Sequence, residues 1–287
     1  MAAVLGTNMA SVWASKNLQT AQSDMASSVE RLSSGLRINR ARDDAAGLGI
    51  ANSLTQQINA ANQGLRNIND GISMVQTAEG AISAASEMAQ RILTLSTQGS
   101  NSNLSEAQRK VIGNEINSLW GSIGKIQDRT YFSGVKLLDA TANITIQSSM
   151  VSGDTFTISS TSALENIHLS ASGATAAVED VRALIPTVDT AAATSGFTGL
   201  AGKVDDYITY LDAQRSALGA IQNQMEYAVS NITEMSANLT SARSRIIDTD
   251  YATETASLTK GQILQQAATA MLAQANQMPN VILSLLK

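Results

Sequence analysis

The sequence predicts a mainly α protein, an elongated, coiled-coil-like bundle of several helices with a small β-hairpin region. Aromatic residues make up only 3% of the 287 residues while the hydrophobic share is 44%, so Ala, Leu, Ile, Val and Met must supply the core. Only two prolines interrupt the chain, which favours long helices. Apolar residues advance by alternating steps of three and four over dozens of positions, the rhythm of a heptad seam.

The first helix is marked by Leu18, Met25 and Leu32 at seven-residue intervals, with Leu5, Met9 and Val12 ahead of them. A polar, charged joint follows from Ser33 to Gly49. Ile58, Ala61, Leu65, Ile68, Ile72, Val75, Ala78, Ile82, Ala85, Ala89 and Ile92 then form a nearly unbroken seam. Gln98 to Asn103 is polar and breaker-rich, so a short turn there folds a second run, Ile112, Ile116, Leu119, Ile123 and Ile126, back antiparallel.

From Tyr131 to Phe197 the texture changes. Asn143 to Gln147 and Thr155 to Ser159 alternate apolar with polar residues around Ser152, Gly153 and Asp154, the pattern of a β-hairpin. Ser, Thr, Ala and Gly dominate the rest, with a short helical stretch expected at Ala176 to Ile185, and this region is expected to be the tolerant, solvent-facing end. A further long helix follows on Leu211, Gln214, Leu218, Ile221, Met225, Ala228, Ile232, Met235, Leu239, Ala242 and Ile246. A second joint, Asp248 to Thr255, leads to the stripe Leu264, Ala268, Met271, Ala275, Met278, Ile282 and Leu285, which Pro279 should kink. Apolar stripes at both chain ends imply burial against each other or against other copies of the chain.

The residues exclude several kinds of chemistry. Without cysteine there are no disulfides, thiolate metal sites or thiol nucleophiles, and His168 alone cannot make a two-histidine metal site. No catalytic residue, cofactor or metal is expected. The net charge of −5 argues against a phosphate-tracking surface. No stretch reaches the length of a membrane span, and the first charge is at Lys16 with no apolar block before it, so export without a cleaved signal peptide is expected. The densest charge cluster, Arg37, Arg40 and Arg42 beside Asp43 and Asp44, reads as structural ion pairing, because three guanidinium groups would hold both carboxylates ionised. Gly47 and Gly49 lack the third glycine and the preceding strand of a dinucleotide site.

Against this background the motifs are specific. Arg31-Leu-Ser-Ser-Gly-Leu-Arg-Ile-Asn39, Asp43-Asp-Ala-Ala-Gly47 and Asn69-Asp-Gly-Ile-Ser73 resemble the amino-terminal part of bacterial flagellin. Leu239-Thr-Ser-Ala-Arg-Ser-Arg-Ile246, Asp250-Tyr-Ala-Thr-Glu254, Gln262-Ile-Leu-Gln-Gln266, Ala273-Gln-Ala-Asn276 and Leu283-Ser-Leu-Leu286 resemble its carboxyl-terminal part. The resemblance covers roughly Met1 to Asp139 and Leu200 to Lys287, which leaves about sixty residues where flagellins often carry large outer domains. It implies a short-form subunit of a helical filament, extracellular and used for swimming.

The division implied is 1–33 with 255–287 as inner-core helices, 34–47 with 247–254 as linkers, 48–139 with 200–246 as a helical rod, and 140–199 as a hairpin and Ser/Thr-rich surface segment. Inner-core contacts would be Leu5, Met9, Val12, Leu18, Met25, Leu32, Leu264, Met271, Met278, Ile282 and Leu285, ordered and buried on polymerisation. Partners implied are other copies of the chain, hook-associated junction and cap proteins, the type III export apparatus and a chaperone holding the last helix. A host Toll-like receptor would meet Gln90, Arg91, Leu95 and Glu115, with Leu93 and Thr94 standing where an Arg-Glu pair is usual. A hook-filament junction protein and a coiled-coil module unrelated to motility are the rival readings.

Overall fold

A computed structural model describes residues 8–138, 144–148, 155–158 and 194–285, with the backbone alone for 194–195 and 278–285. The helical stretch expected at 176–185, His168, most of the Ser/Thr-rich segment and Leu5 lie outside the described residues. The elements are α1 (Met9–Ser34), α2 (Ala45–Gly99), α3 (Glu106–Arg129), β1 (Tyr131–Phe132), β2 (Val135–Lys136), β3 (Ile144–Gln147), β4 (Thr155–Ile158), α4 (Thr194–Ile247) and α5 (Tyr251–Leu285). Residues fall into two compact units, 1–58 with 237–287 and 59–236.

In the unit formed by 59–236, the α2 seam is buried as its spacing predicts, with Ile68, Val75, Ala78, Ile82, Ala85, Ala89 and Ile92 in one continuous core. The α4 face opposite contributes Phe197, Leu200, Val204, Tyr207, Leu211, Leu218 and Met225. Glu79 on α2 pairs with Arg215 on α4 at 3.7 Å, and Asn62 accepts a 3.4 Å hydrogen bond from Ser236, so the two helices run antiparallel. Gln214 is buried in the seam as a polar member of it. The helix begins before Leu200 because Phe197 fills a gap against Gly99, where a Cβ would collide with the ring.

On α3 Leu119 packs half-buried against the core, and the deeper position belongs to Trp120, edge-on to Tyr207 at 5.3 Å between ring centroids. Two expectations need correction here. Met235 on α4 is exposed, so the seam leaves the core after Ile232. The hairpin of β3 and β4 forms in the expected register, Ile144 opposite Ile158 and Gln147 opposite Thr155, but it does not stand free. Its inward residues Ile146 and Ile158 are buried in the core, and Gly64 and Gly71 of α2 open the space for it. A Cβ at Gly64 would strike the Ser148 carbonyl, and one at Gly71 would strike Ile146.

A second hairpin went unpredicted. β1 and β2 pair Phe132 with Val135, and the two turn residues, Ser133 at φ 48° and Gly134 at φ 85°, have the positive angles of a type I′ turn. Ser133-Gly134 is a short turn signal, and two-residue strands carry too little alternation to betray themselves.

Helix ends follow local chemistry. Ser105 and Gln108 form a reciprocal capping box at the start of α3. Gly35 ends α1 at φ 72°, with its N–H donating to the Arg31 carbonyl at 2.9 Å. Asp250 caps α5, accepting from the Ala252 N–H at 2.9 Å and the Thr253 hydroxyl at 2.7 Å, and these bonds hold its carboxyl below the usual carboxylate range. The helix continues past Pro279 to Leu285.

Candidate functional site

The unit formed by 1–58 and 237–287 is built on α1 and α5, whose backbones approach within 8 Å. They run antiparallel: Asn8 donates to the Ala275 carbonyl at 2.7 Å near one end, and Arg31 faces Glu254 at 3.6 Å near the other. The fully buried positions of the seam are mostly small residues. Ala14, Ala21 and Ser28 of α1 are buried, as are Glu254, Gly261, Ala268 and Ala275 of α5. The buried α5 positions recur every seven residues in two interleaved sets, 254, 261, 268 and 275, with half-buried Leu258, Gln265 and Leu272 between them. Side chains this small let helix backbones come close, so van der Waals contact replaces bulk.

Some of the residues expected at assembly contacts also meet within the chain. Leu18, Met25 and Leu32 are half-buried along α1, and Met25 lies 3.5 Å from the place a Cβ would take at Gly261, so these residues already serve the pairing within the chain. The terminal stripes are therefore not without a partner in the subunit. Leu264 and Met271, read as part of the same α5 stripe as Ala268 and Ala275, stand beside the seam and remain exposed. Met9 and Val12 are exposed on α1 as well. Met278, Ile282 and Leu285 lie on the α5 backbone, and their side chains are outside the described residues.

Leu264 and Met271 line an apolar groove along the helix pair, of about 730 Å³. Its opposite wall is α1, with Ala10, Trp13 and Asn17. Trp13 is 57% exposed and Met271 66% exposed, large apolar side chains that a folded subunit leaves in water. Lys16 caps the Trp13 ring from 5.4 Å.

The joint at the end of this unit is not one charge cluster. Arg37 donates to the Ile246 carbonyl at 2.6 Å, closing the end of α4, and Arg40 pairs with Glu30 at 2.8 Å. Arg42 alone reaches Asp43, at 3.6 Å. Asp44 caps α2 by accepting the Gly47 N–H at 2.8 Å. The two linkers pair with each other, Leu36 opposite Asp248, with the Arg37 N–H donating to Ile247 and the Thr249 N–H to Gly35. Ile38, Ala51 and Ile247 seal a small apolar cluster beneath. Helix α5 already begins at Tyr251, and α2 at Ala45, so the linkers are shorter than expected.

Asp43 accepts the Arg40 N–H at 2.9 Å and the Asn39 N–H at 3.2 Å. The Arg40 amide above all, helped by the Asn39 amide and the Arg42 and Arg31 charges, holds its carboxyl below the usual range, and together they outweigh the opposing desolvation. A carboxyl depressed on folding contributes stability that is present above its unfolded value, about pH 4, and is lost as pH falls through the folded value. An NMR titration following the Arg40 amide should therefore show its midpoint below about pH 4, and the step should vanish in Asp43→Asn.

On α2, Gln90 and Arg91 are exposed, and Arg91 pairs with Glu115 of α3 at 2.8 Å. Leu95 is corrected: at 2% exposure it belongs to the core and offers a partner nothing. It follows Ile92 by three in the seam, which is the signal that places it inside. Among the described residues no cluster of His, Asp or Glu is placed to hold a metal ion, and no helix is long and apolar enough to cross a membrane.

Residues 5–143 match the family model of the bacterial flagellin N-terminal helical region, and 201–286 that of the C-terminal helical region. The chain belongs to the bacterial flagellin family. It is 37% identical to a flagellin of Halalkalibacterium halodurans over 99% of this chain and 100% of that one. It is also 37% identical to a Bacillus subtilis flagellin over 98% of each. In fold it resembles a Vibrio parahaemolyticus structure provisionally described as a flagellar hook-associated protein, at a TM-score of 0.58 and 15% identity, covering 72% of this chain and 100% of that one. This flagellin is a structural subunit of the extracellular flagellar filament and not an enzyme.

Proposed function

We propose that this flagellin polymerises by covering the groove between α1 and α5 with a second copy of the chain. The observation that carries the reading is the line of exposed Trp13, Leu264 and Met271 on a helix pair whose seam is already satisfied. Apolar area removed from water there is worth about 25 cal/mol per Å². The pair thus has one face for its own chain and another for a neighbour. On this reading 1–33 with 255–287 are the inner-core segments, with Met9, Val12, Leu264 and Met271 at subunit contacts, and the paired linkers join them to the rod. The same exposed side chains on α5 give an export chaperone an apolar face to hold before assembly, and junction and cap proteins would meet it at the filament ends.

Tryptophan emission tests this directly. Trp120 is buried in the subunit and should contribute no change, so a blue shift on polymerisation belongs to Trp13. The shift should disappear in Trp13→Phe; an unshifted wild-type filament would remove the groove from the contact.

A second surface is supported by the exposed Gln90 and the Arg91–Glu115 pair, which present charge and hydrogen-bonding groups on α2 and α3. We assign these three to contact with a host Toll-like receptor. Arg91→Ala should weaken a reporter-cell response about tenfold or more, as loss of an interfacial arginine does; equal responses would discard the site.

A further inference from the structure

The chain has ten methionines and no cysteine, so its thioethers are its only sulfur groups open to oxidation. They are not equivalent. Met225 is fully buried in the core, whereas Met9, Met235 and Met271 are exposed. Of these three, Met271 alone lines the groove, across from Trp13. Thioether oxidation requires access, and its product is a polar, chiral sulfoxide in place of a flexible apolar group.

We propose that Met271 is an oxidative modification site that controls whether a subunit can be added to a polymer. The inference rests on the groove being the contact between copies. The reagent is a two-electron oxidant of the peroxide class. The Met271 Sδ lone pair attacks one peroxide oxygen, an S–O bond forms as the O–O bond breaks, and the departing hydroxide recovers the proton to leave as water. Sulfur is oxidised to the sulfoxide and the peroxide is reduced. The new S–O dipole replaces an apolar contact in a groove lined chiefly by Ala, Leu264 and Trp13, with Asn17, Thr20, Asp24 and Gln274 among them, and must lose its water when a copy docks, which opposes docking. Once the groove is covered, the sulfur is shielded, so the filament would resist the change that disables the free subunit. A methionine sulfoxide reductase acting on free subunits would restore them.

Hydrogen peroxide is the probe, applied separately to subunits and to preformed filaments, with peptide mass spectrometry and sedimentation as readouts. In subunits, sulfoxide at Met271 should exceed that at Met225 by about tenfold, and the treated subunits should fail to pellet as filaments. In a Met9→Leu background, which removes the other contact thioether, Met271→Leu, a swap that keeps volume and apolarity, should keep after treatment the assembly it shows before it, although Met235 is still oxidised. If treated Met271→Leu loses assembly as the wild type does, or if wild-type subunits oxidised at Met271 assemble fully, the inference falls. Protection of Met271 in the filament separates the two ideas. Protection together with normal assembly of oxidised subunits overturns only the oxidative control, while equal oxidation in both states overturns the groove contact itself.

Discussion

Met271→Glu will leave the subunit folded and stop the filament from growing. The side chain is two-thirds exposed in the subunit, so the substitution should change stability by no more than about 0.5 kcal/mol, within the range of ordinary surface changes. In the polymer the same carboxylate would be covered in a groove that Asp24 also lines and that has no cation among its lining residues. An uncompensated buried charge costs several kcal/mol; about 3 kcal/mol would raise the critical concentration for assembly more than about 100-fold. Circular dichroism melting of the subunit and sedimentation of the polymer separate the two effects. A variant that melts normally and still pellets at wild-type concentrations would mean that Met271 faces solvent in the filament.

The second large effect is inside the unit formed by 59–236. Tyr207→Ala removes a fully buried ring that meets Trp120 edge-on and lies 6.4 Å from the Tyr210 ring. Truncating a large buried aromatic side chain costs about 3–5 kcal/mol, through lost contacts and the cavity left behind. For a unit of this size that corresponds to a fall of roughly 10 °C in melting temperature. Burial already pushes the Tyr207 hydroxyl far above its ordinary pKa, so it stays neutral at every pH the protein meets. The local reporter is Trp120, whose emission should shift to the red as water enters the space; measuring it in a Trp13→Phe background removes the exposed indole. An unshifted spectrum with an unchanged melt would place the ring outside the cooperative core.

Most of the unit formed by 59–236 can be read from the sequence because its core follows bulk. Ile68, Ile82 and Ile92 on α2 lie where a heptad count puts them, and large β-branched side chains at those positions have no favourable alternative to burial. The helix pair of α1 and α5 was harder for the opposite reason. Its packing is governed by absence of side chain, and Ala268 and Ala275 are buried while the greasier Leu264 and Met271 are not. A hydrophobicity count ranks these the wrong way round whenever one helix serves two contacts. Glu254 shows a different blind spot: its acidity suggests solvent, yet it is buried in the seam where Arg31 can reach it. In the linker, residue types foretold ion pairing, but not that Arg37 would spend its guanidinium on a backbone carbonyl and Asp44 its carboxylate on a helix end. Those partners come from distant sequence, or from a turn whose geometry the residue types leave open. Leu95 is legible in the seam, three residues after Ile92, and only the motif points it outward.

The hydrogen bond from Asn8 to the Ala275 carbonyl joins residues 267 positions apart, and every contact between α1 and α5 spans a comparable stretch of chain. A ribosome adds about 5–20 residues per second, so α1 emerges well over ten seconds before the residues that will cover Ala14 and Ala21 exist. The unit formed by 59–236, whose helices are complete earlier, can settle first, and the pair of α1 and α5 is the last to take shape. On the proposed groove contact, a nascent or truncated chain lacks the surface on which copies meet until translation has finished.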